Sequence, residues 1–156
     1  MAKPNRPASP FLGKTRCFFV TTQCAQGRAL LQSERMANLF IETLQTYVSQ
    51  LRFVVHDFVV MPNHVHVLLS VPPDMNVESA MQLIKGGFSF RARKELGFKG
   101  EVWQRGFSDV YIPNRESFLT DRGYIDQNPV KAGLTNKPDE FPFGSAYLKK
   151  LKKAQG

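Results

Sequence analysis

Met61-Pro62-Asn63-His64-Val65-His66-Val67-Leu68-Leu69 joins two β-forming runs, Phe53 to Met61 and His64 to Val71, and its reading decides the fold. Pro62-Asn63 leaves room only for a tight reversal, so the two runs pair antiparallel as a hairpin. Side chains at i and i+2 on a strand share a face. His64 and His66 therefore point one way, and Val65, Val67 and Leu69 the other. A lone strand histidine is ordinarily a satisfied structural residue. Two neutral imidazoles side by side are instead half of a divalent-metal site. The chain has 3 histidines, and two of them stand here.

The elements outside the hairpin complete the pattern. Arg16 to Gln23 is β-branched and aromatic, a strand. Ser33 to Gln50 carries Met36, Leu39, Phe40, Leu44, Tyr47 and Val48 at helical spacing, with Ser33 as N-cap. After Pro72-Pro73-Asp74, Asn76 opens a second helix to about Leu96, weakened at Gly86-Gly87 by about 1 kcal/mol per glycine. Val102 to Ile112 reads as a fourth strand with a bend at Gly106, and Glu116 to Gln127 as a third helix. The order β-α-β-β-α-β-α predicts an α+β fold: a ferredoxin-like sandwich, its antiparallel sheet covered by helices mainly on one face. Residues 1–10 read as a flexible basic arm, 11–147 as the domain, and 148–156 as a basic tail.

Composition narrows the partners. At 156 residues, with 42% hydrophobic residues and 13 phenylalanines, the chain can build one sizeable core. Its 21 Lys and Arg exceed 13 Asp and Glu, giving +8, so a polyanion is the natural partner and nucleic acid the first candidate. No basic amphipathic anchor, secretory signal or membrane-length apolar run is present, which argues against a membrane partner. Cys17 and Cys24 have no zinc spacing and make no disulfide framework. They read as reduced residues in or near the core of a cytoplasmic protein.

A catalytic metal needs more than two imidazoles. The third helix offers Tyr124-Ile125-Asp126-Gln127-Asn128-Pro129, in which Tyr124 and Asn128 are i and i+4 on one helical face. A phenol and an amide oxygen thus stand one turn apart. The competing reading makes Asn128 an N-cap with Pro129 at the first position of a new turn.

Met-Pro-Asn-His-Val-His at 61–66, followed by Tyr-Ile-Asp-Gln-Asn-Pro-Val-Lys-Ala-Gly-Leu at 124–134, resembles the REP-associated tyrosine transposases, members of the single-tyrosine, HUH-type insertion-sequence transposases. Trp103-Gln104-Arg105-Gly106-Phe107 and Phe141-Pro142-Phe143-Gly144-Ser145-Ala146 also look like family segments, so the resemblance covers about Phe11 to Tyr147. It implies His64 and His66 as metal ligands, Tyr124 as nucleophile and Asn128 as the third, amide ligand. It implies Mg²⁺ or Mn²⁺ as the cation and single-stranded DNA beside hairpin-forming palindromic repeats as the substrate, and it leaves monomer and homodimer open. The implied reaction is metal-dependent nicking and strand transfer through a covalent 5′-phosphotyrosine. One departure is that Val110 and Pro113 stand where the family often carries His and Arg after the Trp-Gln segment.

Two further readings stay beside this one: a catalytically inactive hairpin-DNA-binding module of the same fold, and a metal-dependent hydrolase with Tyr124 structural. For the DNA path, Lys85, Arg91, Arg93 and Lys94 on the second helix, with Arg105, form a candidate phosphate-tracking surface. Phe88, Phe90 and Trp103 fit core packing better than base stacking. His56, read as sharing a strand face with Phe58 and Val60, fits a structural role.

Overall fold

The computed structural model describes residues 14–155, so the expected N-terminal arm lies outside the described residues. Four strands, β1 (Arg16–Gln23), β2 (Val54–Val60), β3 (His64–Val71) and β4 (Ser108–Ile112), form one sheet in the order β2-β3-β1-β4. All three pairings are antiparallel. The helices are α1 (Glu34–Ser49), α2 (Val77–Leu96), α3 (Arg115–Lys131) and α4 (Ser145–Gln155). This is the α+β sandwich that the element order predicts.

The sheet divides two cores. Phe18, Val20, Val65, Val67 and Leu69 turn toward α1 and α2, where they meet Phe40, Leu44, Ile84 and Phe88. Phe19, Leu68, Val59 and Ile112 turn the other way, toward Ile125 of α3. Two long helices thus cover one face, and α3 crosses the face that carries His66. α3 is lightly docked, since Ile125 and Pro129 are its buried residues.

Local chemistry starts the three long helices alike. Ser33 Oγ accepts from Met36 N at 3.1 Å, Asn76 Oδ1 from Ser79 N at 2.8 Å, and Asn114 Oδ1 from Ser117 N at 2.9 Å. Each satisfies one orphan N–H of a first turn, worth about 1 kcal/mol. The hairpin closes as expected, with Met61 N donating to His64 O at 2.8 Å. Gly87 has a packing reason: a Cβ there would overlap the Tyr47 hydroxyl of α1.

Four expectations change in detail. The fourth strand begins at Ser108, not Val102, because Gly106 (φ 81°) turns the chain and Lys85 Nζ takes the Gln104 and Gly106 carbonyls at 3.0 and 2.7 Å. α3 runs through Asn128 and Pro129 to Lys131, so Asn128 does not cap a new helix. The register shift between Val55 and Asp57 inserts His56 as an extra residue. His56 therefore leaves the face of Phe58 and Val60; its ring meets Phe118 of α3 at 5.3 Å and its Nε2 lies 2.7 Å from Ser70 Oγ. Finally, α4 continues through the proposed boundary at residue 147, so 148–155 are helical.

The segment before α4 seals the β2 edge. Val60 N donates to Phe143 O at 2.8 Å, Val59 bridges Gly144, and Phe58 N donates to Ser145 Oγ at 2.9 Å. Cys24 is buried, Cys17 half-buried, and both are free thiols whose pKa burial raises. Among the described residues, no helix is long and apolar enough to cross a membrane.

Candidate active site

His64 opens β3 half-buried, and His66 is 5% exposed on the same face. Their rings stand edge to face with centroids 4.8 Å apart. Each δ nitrogen has a fixed partner. His64 Nδ1 lies 2.7 Å from Asn63 Oδ1, which can only accept, so Nδ1 carries the proton and Nε2 keeps its lone pair. His66 Nδ1 lies 2.8 Å from Thr21 Oγ1, directly across the β1–β3 register. With that nitrogen donating to the hydroxyl, His66 Nε2 is the lone-pair nitrogen, and it is buried without a hydrogen-bond partner. A buried, unpaired acceptor is costly in a stable fold unless something fills its lone pair. An oxygen partner on one ring nitrogen and a free lone pair on the other is the arrangement of a metal-binding histidine.

Electrostatics agree with neutral rings. Burial lowers the pKa of His64, and burial followed by the neighbouring His64 pushes His66 down to about 4. Both rings are therefore neutral at neutral pH, as ligation requires. Among the described residues no group of three His, Cys, Asp or Glu could hold a metal. An amide, a water or a phosphate oxygen would have to complete a coordination sphere built on the pair.

α3 brings the phenol to the imidazoles. The Tyr124 ring stands 5.5 Å from the His66 ring, nearly perpendicular to it, and Phe19 of β1 wedges against both, at 5.3 Å from His66 and 6.0 Å from Tyr124. Tyr124 is 46% exposed. Asn128 follows one turn later on the same side of the helix and is half-buried. Lys131 Nζ lies 5.9 Å from the centre of the Tyr124 ring.

The predicted basic residues divide. α2 packs behind the sheet, away from His66, so Arg91, Arg93 and Lys94 do not adjoin the pair. Arg91 is engaged by Glu95 at 2.6 Å and Glu42 at 3.3 Å, and Lys94 lies over the exposed Phe90 ring at 5.7 Å. Lys85 is half-buried as a hook on the 104–106 carbonyls, its pKa lowered by that burial. Arg105 lines a cleft with Thr21 and Gln23, the residues paired with His66 and His64. Phe88 and Trp103 pack together with Phe40 in the core. Sequence reading missed Phe19, Thr21 and Lys131. The first two needed the β1–β3 register, whereas Lys131 repeats the face of Tyr124 and Asn128 at i+7 and was legible.

The family model described as "Transposase IS200 like" matches residues 16–128, a span that includes both histidines, the tyrosine and the asparagine. The chain belongs to the IS200-like transposase family. Two curated relatives bear the name the motifs pointed to. A REP-associated tyrosine transposase of Escherichia coli (strain K12) is 30% identical over 96 residues, 61% of this chain and 55% of the relative. A putative REP-associated tyrosine transposase of Haemophilus influenzae is 24% identical over 98 residues, 56% of each chain. This IS200-like chain thus spans a little over half the length of the curated relatives it matches. A solved REP-associated tyrosine transposase bound to a REP hairpin shares the fold, with TM-score 0.68 and 23% identity over 93% of this chain and 82% of its own. A putative transposase from Deinococcus radiodurans aligns with TM-score 0.55 and 17% identity, over 81% of this chain and 97% of its own.

Proposed function

We propose that this chain nicks and rejoins single-stranded DNA at hairpin-forming palindromic repeats, through a covalent 5′-phosphotyrosine on Tyr124 and with a bound Mg²⁺ or Mn²⁺. One observation carries the reading: an exposed tyrosine of α3 is held against a histidine pair whose buried member, His66, presents an unpartnered Nε2. The hairpin substrate is supported by the REP hairpin bound to the solved REP-associated tyrosine transposase and by the +8 charge of this chain.

His64 and His66 would hold the cation through Nε2, with the Asn128 amide oxygen as third donor. When bound, the cation supplies Lewis-acid stabilisation of charge developing on the scissile phosphate. Asn63 holds His64 in the ligating tautomer, and Thr21 accepts from His66 Nδ1 when His66 Nε2 ligates. Phe19 fixes the approach of the phenol by packing on His66 and Tyr124 together. The Tyr124 oxygen attacks phosphorus, the P–O3′ bond breaks, and the phenol proton is balanced by the proton gained on the departing 3′ oxygen. A 3′-hydroxyl of the same or another strand reverses the step, so rejoining needs no external energy source. Lys131 stands where its ammonium can meet a phosphate oxygen beside Tyr124.

The test is a hairpin oligonucleotide with single-stranded flanks, incubated with Mn²⁺ and resolved on a denaturing gel. A protein–DNA adduct that vanishes in Tyr124→Phe and in His66→Ala is the expected result. Cleavage that survives Tyr124→Phe would make water the nucleophile, and binding without any adduct would leave a hairpin-binding module.

A further inference from the structure

We propose that the cleft beside the histidine pair is a reading pocket for one unpaired purine next to the scissile phosphate. This rests on the strand-nicking reading above and adds to it the element that selects a sequence. The cleft has a volume of about 360 Å³ and is lined by Thr21, Gln23, Gln104, Arg105, Phe107 and Ser108, around Gly106. That size is at the small end of ligand sites and takes a single nucleotide, not a duplex.

The cleft is rooted in the candidate active site. Thr21 forms part of its wall while the same hydroxyl holds His66 Nδ1 at 2.8 Å. Gln23 is the register partner of His64. A strand with its phosphate at the pair has its neighbouring base at this opening.

Its outer wall is built before any ligand arrives. Gln104 N donates to Gln23 O at 2.8 Å, and Ala25 N to Val102 O at 2.8 Å, tying the loop to the end of β1. Lys85 Nζ grips the Gln104 and Gly106 carbonyls, and Trp103 Nε1 donates back to Lys85 O at 3.0 Å. A charged side chain half-withdrawn from water to hold two loop carbonyls fixes the backbone from which the side chains of 104, 105 and 107 project. Preorganisation of this kind lowers the entropy lost on binding.

The lining chemistry selects the class of base. The Gln23 and Gln104 amides each offer donors and an acceptor, Ser108 a hydroxyl, and Arg105 a guanidinium fork. No carboxylate lines the cleft to repel a nucleic acid, and none pairs with Arg105 among the described residues. Arginine and glutamine meet purines two-pronged, through N7 with O6 of guanine or N6 of adenine, and pyrimidines lack that pair of adjacent edge groups. Phe107 adds an aromatic surface on which a base can stack.

The experiment selects from a pool of DNA hairpins with randomised single-stranded flanks, using the Tyr124→Phe protein without added metal so that nothing is cleaved. Sequencing the bound fraction should show one flank position enriched for purine by about tenfold. The same selection with Gln104→Ala, Arg105→Ala or Gln23→Ala added should flatten that position and leave other biases in place. The enrichment ratio is internal to each selection, so a general loss of affinity does not alter it. Purine enrichment that persists in all three variants, or a flank with no biased position, overturns the pocket while the strand-nicking reading stands. Failure to bind any hairpin in the pool overturns both.

Discussion

Replacing Asp57 by Asn isolates the contact that holds the tyrosine-bearing helix to the sheet. Asp57 of β2 is 1% exposed; Ser145 Oγ donates to its Oδ1, its Oδ2 is buried with no hydrogen-bond partner, and Asp126 of α3 is the neighbouring carboxyl that acts on it. Burial, then Asp126, push the Asp57 carboxyl from 3.8 up to about 8, against smaller opposing pulls from Lys149 and Arg122. Protonated, Asp57 can donate to Asp126 and bridge β2 to α3. The folded state then keeps a proton that the unfolded chain releases near pH 4. The bridge's contribution is full below that point and is lost as pH climbs toward 8, at about 1.4 kcal/mol per pH unit. Between pH 6 and pH 9 the wild type should lose on the order of 3 kcal/mol from this group, with the decline flattening above pH 8. Asparagine keeps an acceptor for Ser145 and a donor for Asp126 and has no proton to lose. Urea unfolding of both proteins at pH 6, 7, 8 and 9 should therefore show curves that diverge in favour of Asp57→Asn as pH rises. Parallel curves across that range would refute the shared-proton account.

Four other outcomes follow from the same geometry. Thr21→Val removes the oxygen that orients His66 and should weaken Mn²⁺ binding by roughly 10- to 100-fold in calorimetric titration without altering the circular dichroism spectrum. Because burial lowers the pKa of both imidazoles, His66 to about 4, Mn²⁺ affinity should fall less between pH 7.5 and pH 6 than it would for an exposed pair. An exposed histidine pair would lose about tenfold over that interval, and such a loss would contradict the buried, neutral site. Gly123 sits in α3 with open space where a Cβ would go, so thermal melts of Gly123→Ala should show stabilisation by up to about 1 kcal/mol. Gly87→Ala gains the same helix propensity but collides with Tyr47, and thermal melts should show a net loss of about 1–2 kcal/mol.

The parts of this molecule that local chemistry dictates were readable from the chain. Ser33, Asn76 and Asn114 lie at the starts of the three long helices because their side chains meet N–H groups three residues on. The Pro62-Asn63 reversal and the alternation of His64 to Leu69 specify the hairpin and the shared face of the histidines. What escaped reading depends on residues distant in sequence. Pro129 removes a helical hydrogen bond, yet α3 continues because the ring is buried against the segment that leads into α4. The extra residue at His56 breaks the period-2 count on which face assignment relies. The destination of Lys85 depends on two carbonyls 19 and 21 residues away. At the candidate site, the pair and the Tyr124–Asn128 spacing were visible, whereas Thr21 and Phe19 required knowledge of which strand lies beside β3.

The capping of β2 by Phe143, Gly144 and Ser145 bears on how copies of this chain can meet. A bare outer strand is a template onto which another chain adds its own backbone, and here that template is occupied from within. Among the described residues, β4 at the other end of the sheet is the strand with one paired side, and it is five residues long. Strand addition is thereby blocked, among the described residues, along Phe58 to Val60 at one end and limited to a five-residue strand at the other. A second copy adding a strand to this sheet would meet less obstruction, among the described residues, along Ser108 to Ile112, next to the 104–107 loop, than along Phe58 to Val60.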